Sequence, residues 1–184
     1  MDTTRSCRQR WRCILAALAL LGACGGAPAQ SLGDDAAAKA KLVAALVRFV
    51  QWPTGTFDSD ASALRLCVYS GSAAVERAFA AHQGSAVGAR TLRVVLDPPA
   101  ADKSCHAVYL DASAGLGLPD WRRRHAGEAA FTIGTSDGFA SDGGMVEIVQ
   151  VDSDLRFDFN LQALHDAGLG VHPGVLKLAR RVKP

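Results

Sequence analysis

The chain has 184 residues, of which 49% are hydrophobic and 21% are charged, and its formal net charge is +2 at pH 7. This length and apolar content suffice for one sizeable core, and no Pro- or Ser-rich linker divides the chain. Residues 1–29 carry four arginines and one aspartate, so residues 30–184 have a formal charge of −1. That part has no excess of basic residues, so its charge does not favour binding to nucleic acid.

The N-terminal thirty residues have the pattern of an export signal. A basic lead with four arginines precedes an apolar run that is too short to span a bilayer as a mature helix. The small residues Ala27-Pro28-Ala29 favour cleavage before Gln30, whereas Leu21-Gly22-Ala23-Cys24 resembles a lipoprotein box that would place a lipid on Cys24. We favour the first site, which predicts a signal peptide over residues 1–29, one domain over residues 30–184 and a periplasmic location.

Cys67 and Cys105 remain as a pair once residues 1–29 are removed. Two such thiols tend to form a disulfide in an oxidising periplasm. Both belong to strand-like runs, LRLCVYS and CHAVYL, and neighbouring strands lie at about the spacing that a disulfide bridges. The competing hypotheses are a Cys105-His106 nucleophile and a metal pair, and both lack the additional ligands or partners that they need. We therefore expect a Cys67–Cys105 disulfide.

Predicted helices and strands alternate along the first two thirds of residues 30–184. The first helix starts at Asp34 and ends at Trp52, because Pro53 stops it. The aromatic pair Phe49 and Trp52 at the end of this helix fits core packing better than a ligand cage. Strands are predicted over residues 64–70, 91–96, 106–111 and 129–133, and helices over residues 72–82 and 121–127.

The last third predicts a hairpin and two short helices. Residues 145–151 and 155–160 alternate around a short turn, which is typical of a β-hairpin. Asn160 is placed to cap a helix that ends at Gly168, and residues 173–182 predict a final short helix. This order predicts an α/β fold: a single-domain layered sandwich whose mostly parallel sheet has an antiparallel edge hairpin, with helices on both faces.

A Gly-x-Ser-x-Gly match, GTSDG, begins a stretch that is rich in aspartate and glycine. An EF-hand loop that starts at Asp137 would place Phe139 at a ligand position, and one that starts at Asp152 would place Arg156 there. Neither side chain supplies the oxygen that calcium needs, so calcium is not expected. A hydrolase elbow must turn directly into a helix, whereas Gly143-Gly144 breaks the chain and another strand follows. The stretch therefore predicts tight turns, and the five histidines lack metal-ligand spacing. We expect no enzyme, no metal and no cofactor.

Seven segments occur in an order that is specific when taken together. They are LVRFVQWPTGTF, LRLCVYS, GARTLRV, CHAVYL, TSDGFASDGGMVEIV, LRFDFNLQAL and GVLKLARRV. This set resembles the YfiR family of periplasmic regulators across essentially the whole of residues 30–184. The positions that match the family motif are Phe49, Trp52, Pro53, Cys67, Cys105, Gly143, Gly144, Phe157 and Asn160.

The resemblance implies an α/β domain, a disulfide between the two strand cysteines and a non-catalytic role. In well-known members, the protein binds the periplasmic domain of an inner-membrane diguanylate cyclase and holds it inactive, and an outer-membrane lipoprotein can sequester the repressor. The resemblance therefore implies a negative regulator of cyclic-di-GMP signalling and biofilm formation, acting through protein–protein contact. Family members often dimerise, so a homodimer is a further expectation.

Two features depart from the family pattern. One cysteine pair remains after removal of the signal, so the second disulfide of some members cannot form here, and a lipid on Cys24 would be unusual for a soluble repressor. The candidate contact surfaces are the aromatic helix end with Phe49 and Trp52, and the turn around Phe139. The alternative function is a periplasmic accessory or small-ligand sensor without a cyclase partner, with a cleft at the carboxyl ends of the parallel strands.

Overall fold

The computed structural model describes residues 28–99, 101–102 and 104–184, with side chains from Gly33 onward. The chain divides into two compact units, residues 1–31 and 32–184, and the second unit contains the sheet. The basic lead, the apolar run and Cys24 of the predicted export signal lie outside the described residues.

Helices and strands alternate along the described residues. The helices are α1 (Pro28–Leu46), α2 (Ala73–Ala80), α3 (Leu118–Arg124), α4 (Leu161–Asp166) and α5 (Pro173–Leu176), with 3-10 turns at Val47–Phe49 and Ala112–Ala114. The strands are β1 (Val50–Gln51), β2 (Leu64–Tyr69), β3 (Ala86–Val87), β4 (Arg90–Leu96), β5 (Ala107–Leu110), β6 (Phe131–Gly134), β7 (Val146–Val151), β8 (Asp154–Asn160), β9 (Gly170–Val171) and β10 (Arg181–Lys183).

The main sheet has the strand order β10-β8-β7-β6-β5-β2-β4-β3. Strands β4, β2, β5, β6 and β7 are parallel in this order, and β7 and β8 form the predicted antiparallel hairpin. The chain crosses from β2 to β4 on one side and then to β5 on the other side. The predicted α/β fold with a mostly parallel sheet is therefore confirmed.

The two faces of the sheet pack against different helices, as alternation along β2 shows. Leu64, Leu66 and Val68 point into a core that also contains buried residues of α1, α2 and α4. Cys67 and Tyr69 point into a second core, which α3 covers. Burial of each large apolar side chain contributes about 1.5–3 kcal/mol, so both faces require a helical cover.

The prediction of a helix over residues 173–182 was wrong in its second half. Helix α5 ends at Leu176, and β10 pairs in parallel with β8, so the hairpin lies one strand inside the sheet edge. The reason is a contact distant in sequence: Asp158 is buried, and the guanidinium of Arg180 donates to its two carboxylate oxygens at 2.9 and 2.6 Å. This ion pair holds the segment after α5 beside β8.

The prediction that the first helix continues to Trp52 was also wrong. Helix α1 ends at Leu46, and the chain passes through a 3-10 turn into β1, which pairs antiparallel with β9. Val50 faces Val171 in this small two-stranded sheet. The partner strand lies about 120 residues further along the chain, so the local helical pattern could not reveal it.

Candidate partner-binding site

Phe49 lies at the surface, and its backbone is held by a hydrogen bond to His172 and by the strand that follows it. Its side chain is 41% exposed, and its ring centroid lies 6.4 Å from that of His172. The N–H of His172 donates to the carbonyl of Phe49 at 2.9 Å, and the next residue, Val50, belongs to β1. The exposed ring is therefore presented by a fixed backbone.

Trp52 packs into a group of rings at the amino ends of β2 and β5. The Trp52 and Phe57 rings meet edge to face at 5.9 Å, and Phe57 lies 4.5 Å from the ring of His106. The guanidinium carbon of Arg90 lies 3.8 Å from the Phe57 centroid, which is a cation–π contact. We call Phe49, Trp52, Phe57, His106 and His172 the aromatic end.

The loop after the aromatic end, from Pro53 to Ser62, is held by hydrogen bonds to its backbone carbonyls. Pro53 is exposed, and its carbonyl accepts from both the N–H and the hydroxyl of Thr56, at 3.2 and 2.8 Å. The Nη1 of Arg90 donates to the carbonyls of Ser59 and Ser62, at 2.7 and 2.9 Å. A cleft of about 620 Å³ opens beside this loop and is lined by Phe57 among other residues.

His106 is held in a neutral form by its surroundings. Burial lowers the pKa of His106, and the positive charges of Arg65 and Arg90 lower it further, although a hydrogen bond to the backbone of Thr56 opposes them. The backbone N–H of Arg65 donates to Nδ1 of His106 at 3.0 Å, so this nitrogen carries no proton. Protonation would break the bond that joins the ring to β2.

This geometry predicts that acidification destabilises the protein through His106. The folded-state pKa lies below the unfolded value of about 6.5, so the unfolded chain binds more protons as the pH falls. The stabilising contribution is complete above pH 7 and is lost progressively as the pH falls through the folded-state pKa. Melting temperatures measured from about pH 7.5 to about pH 5 should fall less in His106→Gln than in the native protein.

His165→Gln is the matched control, because the side chain of His165 is largely exposed. This variant should retain the native pH dependence. Equal slopes for His106→Gln and the native protein would show that His106 does not couple folding to protonation.

Phe139, the centre of the second predicted surface, is 3% exposed and packs inside the loop that joins β6 to β7. A Cβ atom at Gly134 or Gly144 would overlap its ring, so both positions need glycine. Gly143 has φ of 94°, and its carbonyl accepts from Arg122 at 2.5 Å. In this structure Phe139, Gly143 and Gly144 fix the loop, and Phe139 does not present its ring to solvent.

Asn160 and Phe157 have structural contacts in β8. Asn160 caps α4 as predicted, since its Oδ1 accepts from the N–H of Ala163 at 2.9 Å, and its Nδ2 donates to the carbonyl of Ala140 at 2.8 Å. Phe157 is buried and meets Phe159 edge to face at 5.7 Å. The structure therefore brings Asn160 to the Phe139 loop, and it leaves Phe157 in the other core.

Sequence reasoning missed Glu147, which organises the Phe139 loop. This carboxylate is buried and accepts from the N–H groups of Gly138 and Ala140, at 3.1 and 3.0 Å. A charged residue inside the apolar run of β7 was the available signal, because a buried carboxylate needs hydrogen-bond donors. Ser136 lies in the turn of this loop, and the chain continues to β7 without forming a helix, as the sequence predicts.

The predicted disulfide is confirmed. Cys67 of β2 and Cys105, just before β5, are joined by a bond of 1.92 Å with their Cα atoms 5.8 Å apart. Both cysteines are buried beneath α3 with Trp121. The bond links two neighbouring parallel strands at the centre of the sheet.

The helices of residues 28–99, 101–102 and 104–184 lack the length and apolar character needed to cross a membrane.

The fold and the Cys67–Cys105 bond together define a disulfide-linked α/β domain, a class typical of exported proteins. A model of the YfiR/HmsC-like family matches residues 36–180, and the chain belongs to this family.

Several solved structures are similar to this chain, and they include the following two. A conserved domain protein from Vibrio cholerae O1 biovar El Tor has a TM-score of 0.52 and 12% identity, over 80% of this chain and 60% of that one. The ABC domain in complex with L-Trp from Streptococcus pneumoniae has a TM-score of 0.48 and 12% identity, over 64% of this chain and 54% of that one. The chain thus spans less than two thirds of either protein, and the first similarity concerns the fold alone.

Proposed function

We propose that this protein binds the periplasmic domain of an inner-membrane diguanylate cyclase and holds that enzyme inactive. Its family membership supports the general role, and the observation that carries the proposed contact is the exposed ring of Phe49. Aromatic side chains at a surface are frequent anchors of protein–protein interfaces. The buried Phe139 packs inside its own loop, so the aromatic end is the better contact surface.

The aromatic end suits a binding surface because its parts are ordered before contact. Phe49 is fixed by β1, β9 and the hydrogen bond from His172, so little conformational entropy is lost when the ring becomes buried. The adjacent cleft of about 620 Å³ could receive a side chain of the partner. Phe57 and His106 of the aromatic end line this cleft, whereas the exposed ring of Phe49 lies against His172.

The same proposal includes the location and the release of the repressor. Residues 1–29 would direct export to the periplasm, where the protein meets the cyclase, and an outer-membrane lipoprotein would sequester it to release cyclic-di-GMP synthesis. Homodimerisation and any lipid on Cys24 belong to this proposal as well. Loss of the gene should raise cyclic-di-GMP and increase biofilm formation, and unchanged cyclic-di-GMP in the deletion strain would remove its main support.

Truncating Phe49 tests the contact surface. Phe49→Ala should weaken binding to the periplasmic domain of the cyclase by roughly 10- to 30-fold, as expected for an interface hot spot. Titration of the purified proteins measures the affinity, and cyclase activity in membranes measures repression. The variant should raise both the dissociation constant and the residual cyclase activity.

Leu178→Ala is the matched control for this experiment. Leu178 is also apolar and is 68% exposed, but it follows α5 and lies outside the aromatic end. The control should bind like the native protein. Equal losses in both variants, or no loss in Phe49→Ala, would reject the aromatic end as the contact surface.

The partner itself is identified by capture from solubilised membranes, followed by mass spectrometry. Capture of a diguanylate cyclase with a periplasmic domain supports the proposal. Recovery of an outer-membrane receptor alone, or of nothing specific, favours the accessory or ligand-sensor alternative.

A further inference from the structure

A polar cavity of about 270 Å³ lies at the carboxyl ends of β2 and β4. Its walls come from the end of β2, the residues after β4, the turn after the Ala112–Ala114 segment and the end of α3. In parallel α/β sheets, ligands bind outside the carboxyl ends of the strands, near the point where the strand order reverses. Here the reversal occurs at β2, between β4 and β5.

The inner wall of the cavity consists of two buried polar side chains, Tyr69 and His125. Nδ1 of His125 lies 2.9 Å from the carbonyl of Trp121, so this nitrogen carries the proton and donates. Its Nε2 lies 3.5 Å from the hydroxyl of Tyr69. Burial raises the pKa of Tyr69, which keeps the hydroxyl protonated. The inner wall therefore offers the Tyr69 hydroxyl and the Nε2 of His125 to a bound molecule.

The position of His125 is fixed by packing. Its ring stacks on Trp121 with a centroid distance of 4.7 Å and an interplanar angle of 12°, and 2% of the residue is exposed. A rigid wall of this kind costs little reorganisation when a small molecule binds.

The rim of the cavity carries two opposite charges, Asp97 and Arg124. Both residues are exposed, and among the described residues neither side chain has an ion pair or a hydrogen bond. Asp97 has φ of 40°, in the left-handed region, and its N–H donates to the carbonyl of Val68 at 2.8 Å. Strained residues of this kind concentrate at binding sites.

We propose that this cavity binds a small zwitterion, with its carboxylate at Arg124, its ammonium group at Asp97 and its polar body against Tyr69 and His125. A guanidinium recognises a carboxylate by paired hydrogen bonds, and a carboxylate accepts from an ammonium group. A water molecule occupies about 30 Å³ in the liquid, so the cavity has room for roughly ten non-hydrogen atoms. This site is separate from the aromatic end, and it gives the regulator a way to sense a small molecule.

Calorimetric titration of the purified protein with glycine, β-alanine and L-serine tests the proposal. Propionate and ethanolamine, which each carry one of the two charges, serve as probes for binding by a single charge. At least one zwitterion should bind, and Arg124→Gln and Asp97→Asn should each weaken that binding by at least tenfold. Asparagine tolerates the left-handed backbone of position 97, so the second variant should retain its fold.

Arg123→Gln is the matched control, since Arg123 is the exposed neighbour on α3 and pairs with Asp120. This variant should bind the zwitterion with native affinity. The proposal is overturned if none of the three zwitterions binds, if a single-charge probe binds as tightly, or if Arg124→Gln and Asp97→Asn bind normally.

Discussion

Replacement of both Cys67 and Cys105 by alanine lowers the free energy of unfolding by about 3–4 kcal/mol under oxidising conditions. The disulfide closes a loop with a sequence separation of 38 residues, and its loss returns conformational freedom to the unfolded chain. Alanine avoids adding hydroxyl groups to the buried core beneath α3. Urea or guanidinium denaturation, followed by circular dichroism, measures the change.

The native protein treated with a strong reductant is the internal control. Its stability should fall towards that of the double variant, whereas the reductant should leave the double variant unchanged. Equal stability of the oxidised native protein and the variant would show that the bond does not stabilise the fold.

Truncation of Phe139 lowers stability by about 3–5 kcal/mol, the usual loss for a fully buried phenylalanine. Its ring packs against Gly134 and Gly144, and these two residues have no side chains that could fill the resulting cavity. The loop would retain the hydrogen bonds from Gly138 and Ala140 to Glu147. Phe139→Ala should therefore lower the denaturation midpoint while the protein still folds.

Phe49→Ala makes the same substitution at a ring that is 41% exposed, and it should cost less than about 1 kcal/mol. The pair thus separates stability from recognition: Phe139→Ala changes the folding equilibrium, and Phe49→Ala changes partner affinity. Similar stability losses in the two variants would contradict the packing role assigned to Phe139.

Local patterns in the sequence were sufficient for much of the fold and for part of the site. The strand-like runs around Cys67 and Cys105 predicted both a buried sheet and its disulfide, because two thiols on neighbouring strands tend to pair in an oxidising compartment. The turn residues between β7 and β8 predicted the hairpin, and Asn160 predicted a helix start. The hairpin and the helix start depend on residues within a few positions of one another. The disulfide depends on the reactivity of the two cysteine thiols.

The arrangement of the aromatic end and of β10 depended on contacts that are distant in sequence. His106 receives its hydrogen bond from Arg65, 41 residues earlier, and Asp158 binds Arg180, 22 residues later. Because of the second contact, the segment after α5 forms β10 where the sequence predicts a helix. Because β1 pairs with β9, the first helix ends earlier than the sequence predicts.

By itself, then, the sequence determined the alternation of elements, the parallel α/β class, the disulfide pair and the resemblance to the family. Tertiary structure alone decided which aromatic ring is exposed, which carboxylate holds the loop and which charges meet around the cavity beside Tyr69. The physical reason is that periodicity reports which face of an element is apolar, whereas a polar or charged side chain is oriented by partners that only the folded chain brings close.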